Sequence, residues 1–183
     1  MTKKSWIGVF ITSAALWAQP GSTAIAGLPG EKGAYYHGAS GWVALPQNPL
    51  MGFKDGSFNE LTGLGPQHAR VELPGAHAAI RISNARPTFY LRGMPAGVRL
   101  YLVHGTEKED YREVRMNMTR RFPNTPHFEN KELSEVELEA VANDVVAVKP
   151  RTDLKPGEYV IVSALDPNYR WIRVGFDFGV SGK

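Results

Sequence analysis

Apolar and polar positions alternate with period two through most of the second half of the chain. Ala69, Val71 and Leu73 share one face, with Arg70 and Glu72 opposite. Ala78, Ile80 and Ile82 repeat the pattern around Arg81, and Phe89 pairs with Leu91 in Thr88–Arg92. Val98, Leu100 and Leu102 form a further row, and Val114 and Met116 with Met118 line a return strand opposite Glu113, Arg115 and Asn117. This period predicts strands with one face in a core and one in water. Tyr159–Leu165 is apolar on both faces, as a central strand should be. Val174, Phe176 and Phe178 then alternate with Arg173, Gly175 and Asp177.

Glycine and proline punctuate these runs at the rhythm of short strands joined by turns. Ala34–His37 and Trp42–Leu45 flank Gly38-Ala-Ser-Gly41 and read as a hairpin. His104–Asp110 is a polar tip that turns the chain back. Residues 131–142 fit two periods. Ser134 with Glu137 matches a capping box, while Val136, Leu138, Ala140 and Ala142 alternate as a strand. Asn143-Asp144 followed by Val145–Val148 favours strand, tight turn, strand. Residues 46–67 hold four glycines and no sustained period, as in a long loop. The expected fold is all-β: an immunoglobulin-like sandwich of about seven to nine strands, with a β-barrel as the alternative.

The first residues follow another pattern. Lys3 and Lys4 precede an apolar run from Trp6 to Ala18, broken by Pro20 and Gly21, and then Ala24-Ile25-Ala26. That order predicts a signal peptide over residues 1–26, cleaved after Ala26, and a single domain over 27–183. The apolar run of about 13 residues is short of the roughly 20 that span a bilayer, which argues against an anchor. The expected location is the periplasm or the cell exterior, with no membrane span in the mature chain.

Composition changes the picture in two ways. The absence of cysteine leaves packing and sheet hydrogen bonds to hold an exported domain without disulfides. The chain's net charge of +3 loses Lys3 and Lys4 with the leader, leaving about +1. So neutral a domain is a poor nucleic-acid binder, and no nucleic-acid partner is expected.

Leu154-Lys-Pro-Gly-Glu-Tyr159 carries a structural motif. It resembles the tyrosine corner of immunoglobulin- and fibronectin-like sandwiches, in which the tyrosine hydroxyl bonds back to upstream backbone. The chain from Gly27 onward also resembles a loose group of exported bacterial β-sandwich proteins of unknown function. The resemblance rests on Tyr35-Tyr36, Gly41-Trp42-Val43, Phe89-Tyr90-Leu91-Arg92, Lys108–Glu113, Pro156–Tyr159 and Phe176-Asp177-Phe178. It implies a fold and no activity.

Chemical motifs are sparse. His37, His68, His77, His104 and His127 include no pair at ligand spacing, and His104 with Glu107 sets a histidine near a carboxylate on the expected hairpin tip. No metal site, cofactor or catalytic residue is expected. Gly38-Ala-Ser40-Gly41 falls short of a nucleophile elbow. Two binding surfaces are candidates. Arg115, Arg120 and Arg121, beside the mixed-charge hairpin Glu107–Glu113, form a possible anion-contacting edge. Tyr35, Tyr36 and Trp42, with Tyr169 and Trp171, form a possible sugar-stacking platform. The expected role is a non-catalytic envelope or extracellular module that binds or supports a protein or surface polysaccharide. The alternative is a secreted enzyme or small-ligand carrier using the glycine-rich 46–67 loop.

Overall fold

A computed structural model describes residues 25–49, 67–94, 99–118, 126–128, 130–164 and 174–182. Residues 1–24, where a leader is expected, and residues 50–66 of the expected 46–67 loop lie outside these. The chain forms β1 (Gly33–Gly38), β2 (Gly41–Ala44), β3 (Gln47–Pro49), β4 (Gln67–Pro74), β5 (Arg81–Ile82), β6 (Phe89–Arg92), β7 (Arg99–Glu107) and β8 (Tyr111–Met118). It continues through β9 (Pro126–Phe128), a 3-10 turn (Asn130–Glu132), β10 (Leu133–Ser134), β11 (Val136–Ala142), β12 (Val145–Pro150), β13 (Gly157–Ala164) and β14 (Val174–Val180). The fold is all-β, as the period-two pattern predicts. Among the described residues the fourteen strand segments outnumber the seven to nine expected; β3, β5, β9 and β10 are pieces of two or three residues, and ten longer strands remain. Among the described residues, no helix is long and apolar enough to cross a membrane.

Two sheets form. The five-stranded sheet runs β11-β12-β6-β1-β2. The larger sheet runs β3-β14-β13-β7-β8-β4, with β10 on β7, β5 on β14 and β9 on β8. Phe89 and Leu91 of β6, Ala34 of β1 and Val148 of β12 meet Leu102, Ile161, Phe176 and Phe178 of the larger sheet in the main core. The Phe89 and Phe178 rings sit 4.5 Å apart.

The larger sheet curls towards closure. β8 pairs with β7 only at Thr106 and Glu107, then carries β4 along its full length. The β4–β8 arm packs Val71, Leu73 and Val114 against Val103, Val160 and Val162, making a second core on the far face of β13 and β7. β13 therefore buries Tyr159 and Ile161 in one core and Val160 and Val162 in the other.

Segment 131–142 resolves to a 3-10 turn followed by strands, with no α-helix. Pairing with β12 across Asn143-Asp144 supplies the ladder bonds that an isolated amphipathic helix would forgo. The hairpin tip is shorter than expected: β7 continues through His104 to Glu107, and Lys108 N–H bonds the Tyr111 carbonyl at 2.9 Å. The alternation over 78–82 yields only the two-residue β5, parallel to β14.

Candidate functional site

The outer face of the five-stranded sheet carries an aromatic row. Side chains alternate between faces along a strand, so Tyr35 and His37 of β1 share this face with their cross-strand neighbours Tyr90 and Trp42. The His37 and Trp42 rings meet edge to face at 4.9 Å, and Trp42 meets Tyr90 likewise at 5.2 Å. Segment 25–32 runs over one end of the row. Trp42 Nε1 donates to the Ala26 carbonyl at 3.2 Å, and Tyr35 donates its hydroxyl to the Glu31 carbonyl at 2.9 Å. Gly27 makes the close crossing possible. Its φ is +71°, and a Cβ there would lie 3.2 Å from Trp42 Nε1.

This geometry divides the aromatic candidates. Trp42 is half-buried, with His37 exposed beside it. Tyr35 is only 4% exposed beneath the crossing segment, so its ring offers no outer stacking surface. Tyr36 points the other way and packs against Phe89 at 6.1 Å. Tyr90 joins the row, and its place follows only from the register of β6 against β1. Tyr169 and Trp171 lie outside the described residues.

The arginine edge separates in the same way. Arg115 is exposed, but its Nε donates to Glu113 Oε1 at 2.7 Å, so an acid within the chain already engages it. Arg120 and Arg121 lie outside the described residues.

Sequence reasoning missed a charge cluster at one end of the second core. Glu158, Asp177 and Arg112 are 1%, 2% and 3% exposed. Asp177 lies on the face of β14 that alternation assigns to water, whereas Arg112 and Glu158 share the faces of Val114 and Val160, and loop 75–80 with β5 bonds to the latter two. Arg112 uses its whole fork: Nη1 to Asp177, Nε to the Gly75 carbonyl at 2.9 Å, and Nη2 to the Pro74 carbonyl at 2.6 Å. Asn48 Nδ2 donates to the other Asp177 oxygen at 2.5 Å. Glu158 Oε2 accepts the Ala78 N–H at 2.7 Å and lies 3.6 Å from Arg112 Nη1, while Oε1 accepts Arg81 Nη1. Paired and hydrogen-bonded in this way, the buried charges recover much of their desolvation cost.

At the rim of this cluster His77 Nδ1 stands 3.8 Å from Glu107 Oε1 and 3.7 Å from Glu158 Oε1. The histidine near Glu107 is therefore His77, brought by loop 75–80. His104 instead packs edge to face on Tyr159 at 5.1 Å. No spacing in the sequence joins His77 to Glu158, 81 positions away; only the loop crossing does.

A polar cleft of about 450 Å³ opens beside the tyrosine corner, between His104, Lys131, Ser134, Asp153, Lys155 and Tyr159. The corner itself is formed: Tyr159 donates its hydroxyl to the Lys155 carbonyl at 2.9 Å. Burial pushes the Tyr159 phenol above its ordinary value.

Comparison of the chain with protein families, curated proteins and solved structures finds no match.

Proposed function

We propose that the protein is an exported, non-catalytic module that holds a surface polysaccharide on the outer face of its five-stranded sheet. The observation that carries this reading is the row His37–Trp42–Tyr90, aromatic side chains from three adjacent strands on the face turned away from the main core. Aromatic faces give sugars a flat apolar surface, and ring edges with polar tips supply hydrogen bonds at the rim. The His37 and Tyr90 rings hold Trp42 edge to face from both sides, so little side-chain freedom remains to be lost on binding. Arg92, ion-paired with Asp144 at 3.3 Å, adds a polar border on the same face of β6.

A second reading, a protein partner added as a strand, is favoured by β11. This strand ends the five-stranded sheet, and its Leu138 is the one large hydrophobic exposed among the described residues, at 48%.

Affinity electrophoresis through gels loaded with neutral and acidic polysaccharides tests the first reading. At least one polymer should retard the protein, and Trp42→Ala should abolish the retardation while circular dichroism stays unchanged. Tyr90→Ala is the companion variant should Trp42→Ala fail to fold. No retardation by any polymer, or equal retardation of both variants, rules the aromatic row out as the binding surface.

A further inference from the structure

We propose that His77, Glu107 and Glu158 form a binding site for a zinc-class divalent cation, and that Arg81 competes with the cation for Glu158. Three donor atoms from different parts of the chain converge within 4.8 Å of one another: His77 Nδ1 and one carboxylate oxygen each from Glu107 and Glu158. Tetrahedral zinc with such ligands sets donors about 3.4 Å apart, from metal–ligand lengths of roughly 2.0–2.2 Å. The observed histidine–carboxylate separations of 3.7 and 3.8 Å need a contraction of only a few tenths. One imidazole with two carboxylates suits zinc and its neighbours better than calcium or magnesium, which take oxygen alone.

The site is anchored on its inner side. Glu158 is held by the Ala78 N–H and Arg112. Ala78 follows His77 directly, so the bond that fixes Glu158 also fixes the backbone presenting the imidazole. The outer side is open, with the His77 and Glu107 side chains 66% and 47% exposed, which leaves a coordination position for water.

Charge favours a cation here. Glu107, Glu158 and Asp177 face Arg81 and Arg112, which leaves one negative charge uncompensated when His77 is neutral. Arg81 occupies the Glu158 oxygen that a metal would use. The Arg81 side chain is 39% exposed and its Nη2 also bonds the Val180 carbonyl at 3.2 Å, so it has a route to solvent when a cation arrives. It reaches Glu158 by crossing Gly179, where a Cβ would collide with Nη1. Gly179→Ala therefore evicts Arg81 without altering any charge.

Calorimetric titration of the full, untagged chain with zinc chloride tests the proposal, with cobalt absorption reporting the ligand set. One saturable site is expected. His77→Ala and Glu107→Gln should each weaken it by at least about tenfold. Both side chains are exposed enough for the variants to fold, and thermal melting checks this. Arg81→Gln and Gly179→Ala should tighten binding by about tenfold, the effect of removing one adjacent cation. Zinc binding that survives His77→Ala belongs to other histidines and overturns the site. Absence of saturable binding in both the wild type and Arg81→Gln overturns it as well. Equal affinity of Arg81→Gln and wild type overturns the competition.

Discussion

Tyr35 and Tyr159 both donate their hydroxyls to the carbonyl four residues upstream, each at 2.9 Å. Both follow a glycine by two positions, in Glu31-Lys-Gly-Ala-Tyr35 and Lys155-Pro-Gly-Glu-Tyr159. One opens a strand of the smaller sheet and the other a strand of the larger, so the chain turns the same kind of corner once per sheet. The Tyr159 ring also stacks on Phe178 at 5.6 Å, and Tyr159→Phe keeps that contact while deleting the hydroxyl. The expected loss is about 0.5–1.5 kcal/mol in urea denaturation. The phenol's pKa lies above its ordinary 10.0 in the folded state, so the native protein keeps its proton more tightly than the unfolded chain. That contribution is complete below pH 10.0 and lost as pH rises beyond it. Tyr159→Phe should therefore show a shallower alkaline decline in stability; an unchanged slope would place the titration elsewhere.

At the scale of elements, period-two alternation identified most strands, and Gly38-Ala-Ser-Gly41 and Asn143-Asp144 marked two hairpins that formed. Alternation assigns residues to one of two faces; it does not say what covers the second. Asp177 therefore reads as solvated, although the β4–β8 arm and loop 75–80 enclose it together with Arg112 and Glu158. That arm depends on long-range pairing that no local pattern encodes. Trp42 was legible as a candidate, but Tyr90 required the register of β6 on β1, and Tyr35 was lost to a crossing segment that carries no strand pattern. The ion cluster joins β8, β13, β14 and loop 75–80 through one guanidinium. Arg112→Met leaves Asp177 a buried charge with Asn48 as its one remaining side-chain partner among the described residues, and should destabilise the protein by about 3–5 kcal/mol in chemical denaturation. A loss under about 1 kcal/mol would mean that water reaches the cluster.

In the whole molecule, β13 is common to both cores, so neither packs without it. Opening either side exposes apolar residues of the strand that the other side needs, which favours a single cooperative transition. The aromatic row lies on the far side of the sandwich from the second core, on the smaller sheet. Its indole is tied to the carbonyl of Ala26, the residue after which the proposed leader would be removed. Peptidase action at that bond would take away the acceptor of the Trp42 N–H and leave the new α-ammonium of Gly27 near the N–H edge of the indole. Maturation would thus rewrite the polarity of the very ring proposed to meet the ligand. The precursor and the trimmed form should differ in tryptophan emission wavelength and in polysaccharide retention; identical values would show that the indole ignores the cut.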